Sequence, residues 1–284
     1  MILPFLKAMN IVVTGASSGL GAVFSGALVA KGTIVCGLAR NLDKLNMLQK
    51  QLGKAFIPVM MDITDQKAIA DWVKKTFSDT HFPNILINNA GVGYFNNIDE
   101  LPLQHWHDMI NTNLNGTFYI TANIVPFMKR NNASCHIINI GSILGKTTRP
   151  DSAAYSATKY GIQGFSEALS KELSSYNIKV TCVNPGSIET HFFEQSGIEP
   201  HSNMLQPNDI AAFIIHILET PCNMLIDEVT LRPLQPKMKT VELQVPSSPV
   251  CYANSCEVRK EFRDEELFEV KFVPTPIKPN DKQN

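Results

Sequence analysis

The chain reads as an α/β protein: a doubly wound, mainly parallel seven-stranded sheet with helices on both faces, followed by an irregular C-terminal extension. Three observations predict this. Short apolar runs alternate with longer helical patterns from Ile11 to Leu231. The runs are apolar at consecutive positions, as strands covered on both faces are. A glycine-rich turn joins the first run to the first helix. Alternation of this kind builds right-handed βαβ units and hence a doubly wound sheet.

The expected strands are Ile11–Thr14, Thr33–Leu38, Ala55–Met60, Ile85–Asn88, His136–Ile140, Val180–Asn184 and Val229–Leu231. Between them the 3.6-residue period predicts helices over Leu20–Lys31, Leu42–Leu52, Gln66–Phe77, Trp106–Arg130, Ala153–Tyr176 and Ile210–Leu218. Thr64 or Asp65 can cap the third helix, because either side chain accepts from its free N–H groups. Beyond Pro233 the organisation changes. Six further prolines and a charged cluster from Glu257 to Glu266 follow, with one weakly alternating stretch, Leu267–Val273, that reads as a short strand. The expected division is a domain over 1–234 and an extension over 235–284 that is partly extended or disordered. That extension is an inert tail, a lid, or an arm that packs on a neighbouring subunit.

The 284 residues suffice for one large domain with an appendage. A formal charge of -1 offers no basic field for nucleic acid. No apolar run approaches the ~20 residues of a membrane span. Pro4 and Lys7 interrupt the apolar opening, which does not read as a signal peptide. Six scattered cysteines without a CxxC pair suit a reducing cytoplasm. His105 and His107 flank Trp106 without a third ligand, so no metal site is expected.

The first strand runs into Thr14, Gly15, Ala16, Ser17, Ser18, Gly19, Leu20 and Gly21, and then a helix. Gly15 permits a tight exit, Gly19 lets the backbone meet a pyrophosphate, and Gly21 allows close helix–strand packing. The helix N-terminus adds free N–H groups and a positive dipole end. A carboxylate at the tip of the second strand would hold a ribose diol. Here Arg40 and Asn41 stand there instead. Arg40 can pair with a 2′-phosphate, which favours NADP(H) while NAD(H) stays compatible. Asp62, after the third strand, can accept from the adenine amino group or serve a turn.

Tyr155 and Lys159 are four residues apart on one helix, so they share a face. A nearby ammonium is expected to lower the phenol's pKa from ~10. Ser142 follows a buried strand, where carboxyl ends gather ligands. Its hydroxyl can hold a carbonyl oxygen while Tyr155 donates a proton. Asn113 is a poor mid-helix residue and marks an expected break that holds a water on a proton path to Lys159.

TGASSGLG, NNAG at Asn88–Gly91, Asn113, Ser142, YSATK at Tyr155–Lys159, and Pro185–Gly186 with Thr190 following appear in this order. The chain resembles the short-chain dehydrogenase/reductases over roughly Asn10 to Pro233. The resemblance implies a Rossmann-like fold, an NAD(P) cofactor, and Asn113, Ser142, Tyr155 and Lys159 as the catalytic group. It places Asn88 and Ala90 on the adenosine side and Pro185, Gly186, Ile188 and Thr190 beside the nicotinamide; Asp62, Ile63 and Gly91 are further expected cofactor contacts. It also favours a homodimer or homotetramer. Tyr94, His191 and Phe192 are expected on the substrate side with Ser142 and Tyr155. The stretch from Thr190 to Gln206, where the family builds its lid, is short. The expected activity is interconversion of a small-molecule alcohol and carbonyl. The alternative is a cofactor-binding regulatory or scaffold protein acting through its tail.

Overall fold

In a computed structural model, residues 6–190, 203–234, 239–245, 259–263 and 266–274 are described. The first half lays down β1 (Asn10–Thr14), α1 (Gly19–Ala30), β2 (Ile34–Ala39), α2 (Leu42–Leu52), β3 (Phe56–Met60), α3 (Gln66–Thr76) and β4 (Ile85–Asn88). Next come α4 (Leu103–Met109), a π-helical segment (Ile110–Gly116), α5 (Thr117–Arg130) and β5 (Cys135–Ile140). A 3₁₀ turn (Ile143–Gly145), α6 (Ala153–Leu173), β6 (Ile178–Pro185), α7 (Pro207–Leu218) and β7 (Glu228–Leu231) complete it. The sheet has seven strands in the order β3-β2-β1-β4-β5-β6-β7, and every pair in it is parallel. The chain reverses its direction of winding between β1 and β4. In open α/β sheets the crevice at such a point, outside the carboxyl ends of the strands, is where ligands collect.

The consecutive apolar residues of β1 explain the two layers. Ile11 and Val13 join one core with Phe24 and Leu28 of α1, Leu45 of α2 and Ile210 and Ile214 of α7. Val12 joins the opposite core, with Ile69 and Val73 of α3, Ile120, Ile124 and Met128 of α5, and Leu169 and Leu173 of α6. Both faces of the central strand are therefore covered, so a polar residue on either face would be buried.

The single helix expected over Trp106–Arg130 is three pieces. It starts earlier, at Leu103, and its middle widens into seven π-helical residues before α5 begins. Asp65, not Thr64, caps α3, accepting from the Ala68 N–H at 2.9 Å.

The chain divides into two compact units, one of residues 1–200 and 204–232, the other of 201–203 and 233–284. In the second, β8 (Lys239–Val245), β9 (Arg259–Arg263) and β10 (Glu266–Pro274) form a three-stranded sheet. The central strand β10 runs parallel to β8 and antiparallel to β9. Only the last of these strands was legible locally. β9 pairs with β10 as a close antiparallel hairpin within the charged cluster, whereas β8 pairs with β10 across some twenty-nine positions, which no local pattern encodes.

Gly37 and Gly164 give a paired test of packing. A Cβ at Gly37 would lie 2.3 Å from the Phe56 ring, inside the core, whereas one at Gly164, mid-helix and exposed, would meet nothing within 4 Å. Gly37→Ala is expected to cost about 1–3 kcal/mol by overpacking. Gly164→Ala should add about 0.5–1 kcal/mol through helix propensity. Urea titration of the two variants checks both signs.

Candidate active site

The glycine turn is fastened from beneath. The Thr14 hydroxyl, buried at the end of β1, accepts the N–H groups of Asn89 and Ala90, each at 3.0 Å. The Asn89 amide donates in return to the carbonyl of Thr14 at 2.9 Å and of Gly15 at 3.4 Å. Gly15 sits at φ +67°, left-handed backbone that favours glycine, and a Cβ there would lie 2.9 Å from the Ala90 backbone. At Gly21 a Cβ would lie 2.3 Å from the Gly15 carbonyl oxygen, so only glycine lets α1 start this close to β1. Gly19 is different: the nearest atoms to a Cβ there belong to Thr190, at 3.7 Å.

The first turn of α1 carries no acidic residue, and the Ser18 side chain does not cap it. Its leading N–H groups and the positive end of the helix dipole are thus left for an external anion. These features fit the pyrophosphate of a dinucleotide. Ser17 and Leu20 are half-buried around the turn and Ser18 is exposed.

Tyr155 and Lys159 lie one turn apart on α6, both buried. The Lys159 Nζ donates to the Ile140 carbonyl at the end of β5, at 2.9 Å, and sits 5.6 Å from the Tyr155 ring centroid. The phenol is hydrogen-bonded to Ser142, whose hydroxyl also accepts the Leu144 N–H at 3.1 Å. Burial pushes the Tyr155 phenol well above its ordinary value, with the Ser142 bond acting in the opposite direction. Burial also draws Lys159 down to about 8, opposed by Cys182. The expectation that the ammonium lowers the phenol's pKa is therefore corrected. Among the protein's own groups, desolvation of the phenolate is the largest influence.

Asn113 lies at the middle of the π-helical segment and is buried. Its Oδ1 accepts the Val92 N–H at 2.9 Å, and its Nδ2 donates to the Val92 carbonyl at 2.9 Å and to Thr158 Oγ1 at 3.0 Å. Thr158 in turn donates to the Tyr155 carbonyl at 2.7 Å. Asn113 thus ties the strand-exit loop to the helix turn that carries Tyr155. A Cβ at Gly91 would lie 3.3 Å from Asn113 Oδ1 and 3.9 Å from Lys159 Nζ, so both groups lie close to Gly91. The segment ends at Gly116, where a Cβ would lie 2.7 Å from Ile63, buried after β3.

The remaining expected cofactor positions are spread over the same end of the sheet. Arg40 is exposed just past β2, and Asn41 beside it caps α2 by accepting from the Lys44 N–H. One Asp62 oxygen accepts from both the N–H and the hydroxyl of Thr64, which makes it a turn former. Asn88 turns inward: its amide donates to Thr121 at 3.0 Å and to Asn139 at 2.8 Å, while its buried Oδ1 lacks a partner among the described residues. Its side chain therefore braces the interior, and the neighbouring Asn89 holds the glycine turn. Pro185 ends β6, the Gly186 N–H donates to Leu231, Ile188 is buried, and Thr190 approaches Gly19.

On the other side of Tyr155, the Phe95 ring packs at 5.2 Å between centroids. Tyr94 instead stacks on His105, at 3.8 Å and 7° between ring planes. The Arg149 guanidinium lies over the outer part of this wall, 4.9 Å from the Phe95 centroid. His191 and Phe192 lie outside the described residues. Asn89, Thr158 and Asn184 are the residues that sequence reasoning missed. Asn89 stood inside the NNAG motif and Asn184 directly before Pro185–Gly186, but neither spacing showed what it bonds.

The family profile described as short chain dehydrogenase matches residues 9–200. The chain belongs to the short-chain dehydrogenase family. An uncharacterised oxidoreductase of Staphylococcus epidermidis is 31% identical over 229 residues, covering 81% of this chain and 99% of that protein. One from Staphylococcus haemolyticus is 34% identical over 224 residues, covering 78% and 96%. Among solved structures, the closed form of a serine dehydrogenase complexed with NADP+ is 27% identical with a TM-score of 0.73, covering 79% of this chain and 94% of that one. A 3-ketoacyl-(acyl-carrier-protein) reductase from Brucella melitensis complexed with NADH is 26% identical with a TM-score of 0.74, covering 80% and 97%. The protein is accordingly an oxidoreductase of this family with a Rossmann-like fold. No helix among the described residues is long and apolar enough to cross a membrane.

The buried ammonium has a stability consequence. Lys159 has its folded pKa depressed to about 8 from 10.5. Below pH 8 both states carry the charge and the folded state bears the whole cost of burying it. Between pH 8 and 10.5 the unfolded state binds more protons, so stability rises with pH and the cost fades. Lys159→Met is expected to raise stability at pH 7 by up to roughly 3 kcal/mol, and by little at pH 10. Melting curves at the two pH values check this. A variant less stable than the parent at pH 7 would show that the bond to Ile140 outweighs the cost of burial.

Proposed function

We propose that the protein is an NADP(H)-preferring oxidoreductase that interconverts an alcohol and a carbonyl, with Tyr155 as acid and base. The observation that carries this reading is the burial of Tyr155, Lys159, Ser142 and Asn113 together at the carboxyl ends of β4 and β5, beside an uncapped glycine turn. When bound, the nicotinamide supplies or accepts the hydride. Ser142 holds the substrate oxygen, and Tyr155 gives it a proton in reduction or takes one in oxidation. Burial raises the phenol's pKa and the Ser142 bond opposes it, so that bond is what favours proton release from Tyr155. Lys159 holds the ribose and biases the charge around Tyr155, and Asn113 supports the relay by fixing the α6 turn through Thr158.

Arg40 is the reason to favour NADP(H). It is exposed past β2, and the tip it occupies carries no carboxylate. Two of the structural neighbours were solved with NADP or NADP+ and another with NADH, which supports a nicotinamide cofactor. Thr14, Gly15, Gly19, Gly21, Ala90 and Thr190 form the floor of the proposed cofactor site. Phe95, at the Tyr155 ring, joins Tyr94 on the proposed substrate side. We further propose that residues 1–234 are the catalytic domain, that the protein works as a homo-oligomer in a reducing cytoplasm, and that its substrate is a small molecule.

The test is oxidation of NADPH and NADH across ketones and aldehydes. Tyr155→Phe is expected to lower turnover about 10²- to 10⁴-fold while cofactor affinity stays near that of the parent. Near-normal turnover in this variant would end the assignment. Arg40→Ala should weaken NADPH about tenfold, the worth of one charged hydrogen bond, and leave NADH unchanged. Equal losses for both cofactors would remove Arg40 as the basis of preference.

A further inference from the structure

Between β5 and α6 the chain must present Ser142 to Tyr155 from a loop, and loops are not rigid by themselves. A buried polar side chain, Asn184 on the neighbouring strand β6, lies under this loop. Its Oδ1 accepts the Ser142 backbone N–H at 3.2 Å. Its Nδ2 donates to Gln163 Oε1 at 2.9 Å and lies 3.4 Å from Glu228 Oε1. Gln163 stands on α6, two turns beyond Tyr155 and one beyond Lys159. The Gln163 amide donates to Glu228 Oε2 at 2.7 Å, and the same carboxylate oxygen pairs with Lys146 at 2.6 Å, at the far end of the Ser142 loop.

The contact is built in from both sides. A Cβ at Gly141 would lie 2.0 Å from Asn184 Oδ1, so the residue before Ser142 must be glycine for the amide to fit. The Gly141 N–H is already committed to the Val183 carbonyl at 2.7 Å. One amide therefore bonds the Ser142 backbone with its oxygen and the Tyr155 helix with its nitrogen.

We propose that Asn184 is a positioning residue that sets the distance between Ser142 and Tyr155. It touches neither substrate nor cofactor and acts only through the loop and the helix it joins. This rests on the assignment of Ser142 and Tyr155 to the reaction. The Ser142 bond is also the influence that opposes burial at the Tyr155 phenol, so a displaced Ser142 leaves the phenol a weaker acid.

The experiment compares the parent, Asn184→Ala, Gln163→Ala and Tyr155→Phe in steady-state reduction across pH, NADPH titration, and amide hydrogen exchange over residues 141–147. Asn184→Ala is expected to lower kcat about 10- to 100-fold, the effect of a misplacement near 1 Å. NADPH affinity should stay within about twofold, exchange at Ser142 should rise, and the pH limb that reports the phenol should move upward. Gln163→Ala, at a half-buried helix position, severs the helix side of the same connection and should give a smaller loss of the same kind. It carries the test where Asn184→Ala does not fold. A kcat within twofold of the parent while Tyr155→Phe is inactive would overturn the positioning role alone. If Tyr155→Phe turns over like the parent, the catalytic assignment falls, and the proposal falls with it. Unchanged exchange at Ser142 in Asn184→Ala overturns it regardless of activity.

Discussion

The structure of the site depends on keeping a lysine ammonium inside a protein. Lys159 is 6% exposed and its Nζ is held by the Ile140 carbonyl. A buried cation is costly, and here the cost shows as a pKa drawn down to about 8. Its position follows from the fold. The parallel strand β5 ends beneath α6, and Ile140, its last residue, offers a carbonyl that no further strand residue uses. The helix then places Tyr155 one turn before Lys159, with no freedom to separate them. A lysine on a loop would swing out to water, whereas one on a 21-residue helix packed on the sheet cannot.

The same constraint explains the other polar residues in the core. Thr14, Asn88, Asn139, Ser142 and Asn184 are all buried near the carboxyl ends of their strands. Each is tied by hydrogen bonds to a neighbouring element: Thr14 to Asn89 and Ala90, Asn88 to Asn139, Asn139 to Ser166 of α6 at 2.8 Å, and Asn184 to Ser142 and Gln163. Buried polar groups are expensive unless paired, and paired groups in a low dielectric are rigid. The frame around Tyr155 is consequently fixed by side chains as well as by the sheet.

Much of this fold was legible. Ile85–Asn88 coincides with β4 because its apolar residues end at a polar turn signal. The strand expected over Val180–Asn184 is longer, Ile178–Pro185, because Lys179 interrupts the apolar pattern before it. Thr181 within it is buried, satisfied by His136 and the Ile226 carbonyl. The π-helical segment was illegible as such, since one extra residue per turn changes which residues face the core without changing their type. Asn113 hinted at a break because asparagine is a weak helix former, but its partners Val92 and Thr158 lie far off in sequence. Asn88 and Asn89 show the same limit: adjacent, identical residues point in opposite directions, and only the packing of Thr14 and Gly21 decides which one holds the glycine turn.

The two candidate proton groups are best understood as a pair. In water a phenol and a lysine ammonium have nearly equal pKa values, 10.0 and 10.5. Burial penalises whichever form is charged, so it raises the phenol and lowers the ammonium. The order of the two is thereby reversed, and their values are driven apart. Environments that separate two titratable neighbours in this way assign their roles. The proton stays on Tyr155 through neutral pH and beyond, and the Ser142 bond is the influence that eases its release. Lys159 titrates close to neutrality instead, and its charge is the quantity that the surroundings adjust. Negative charge brought beside Lys159 would raise its pKa again and hold the ammonium to higher pH. Both shifts follow from one physical cause, the exclusion of water from the α6 face.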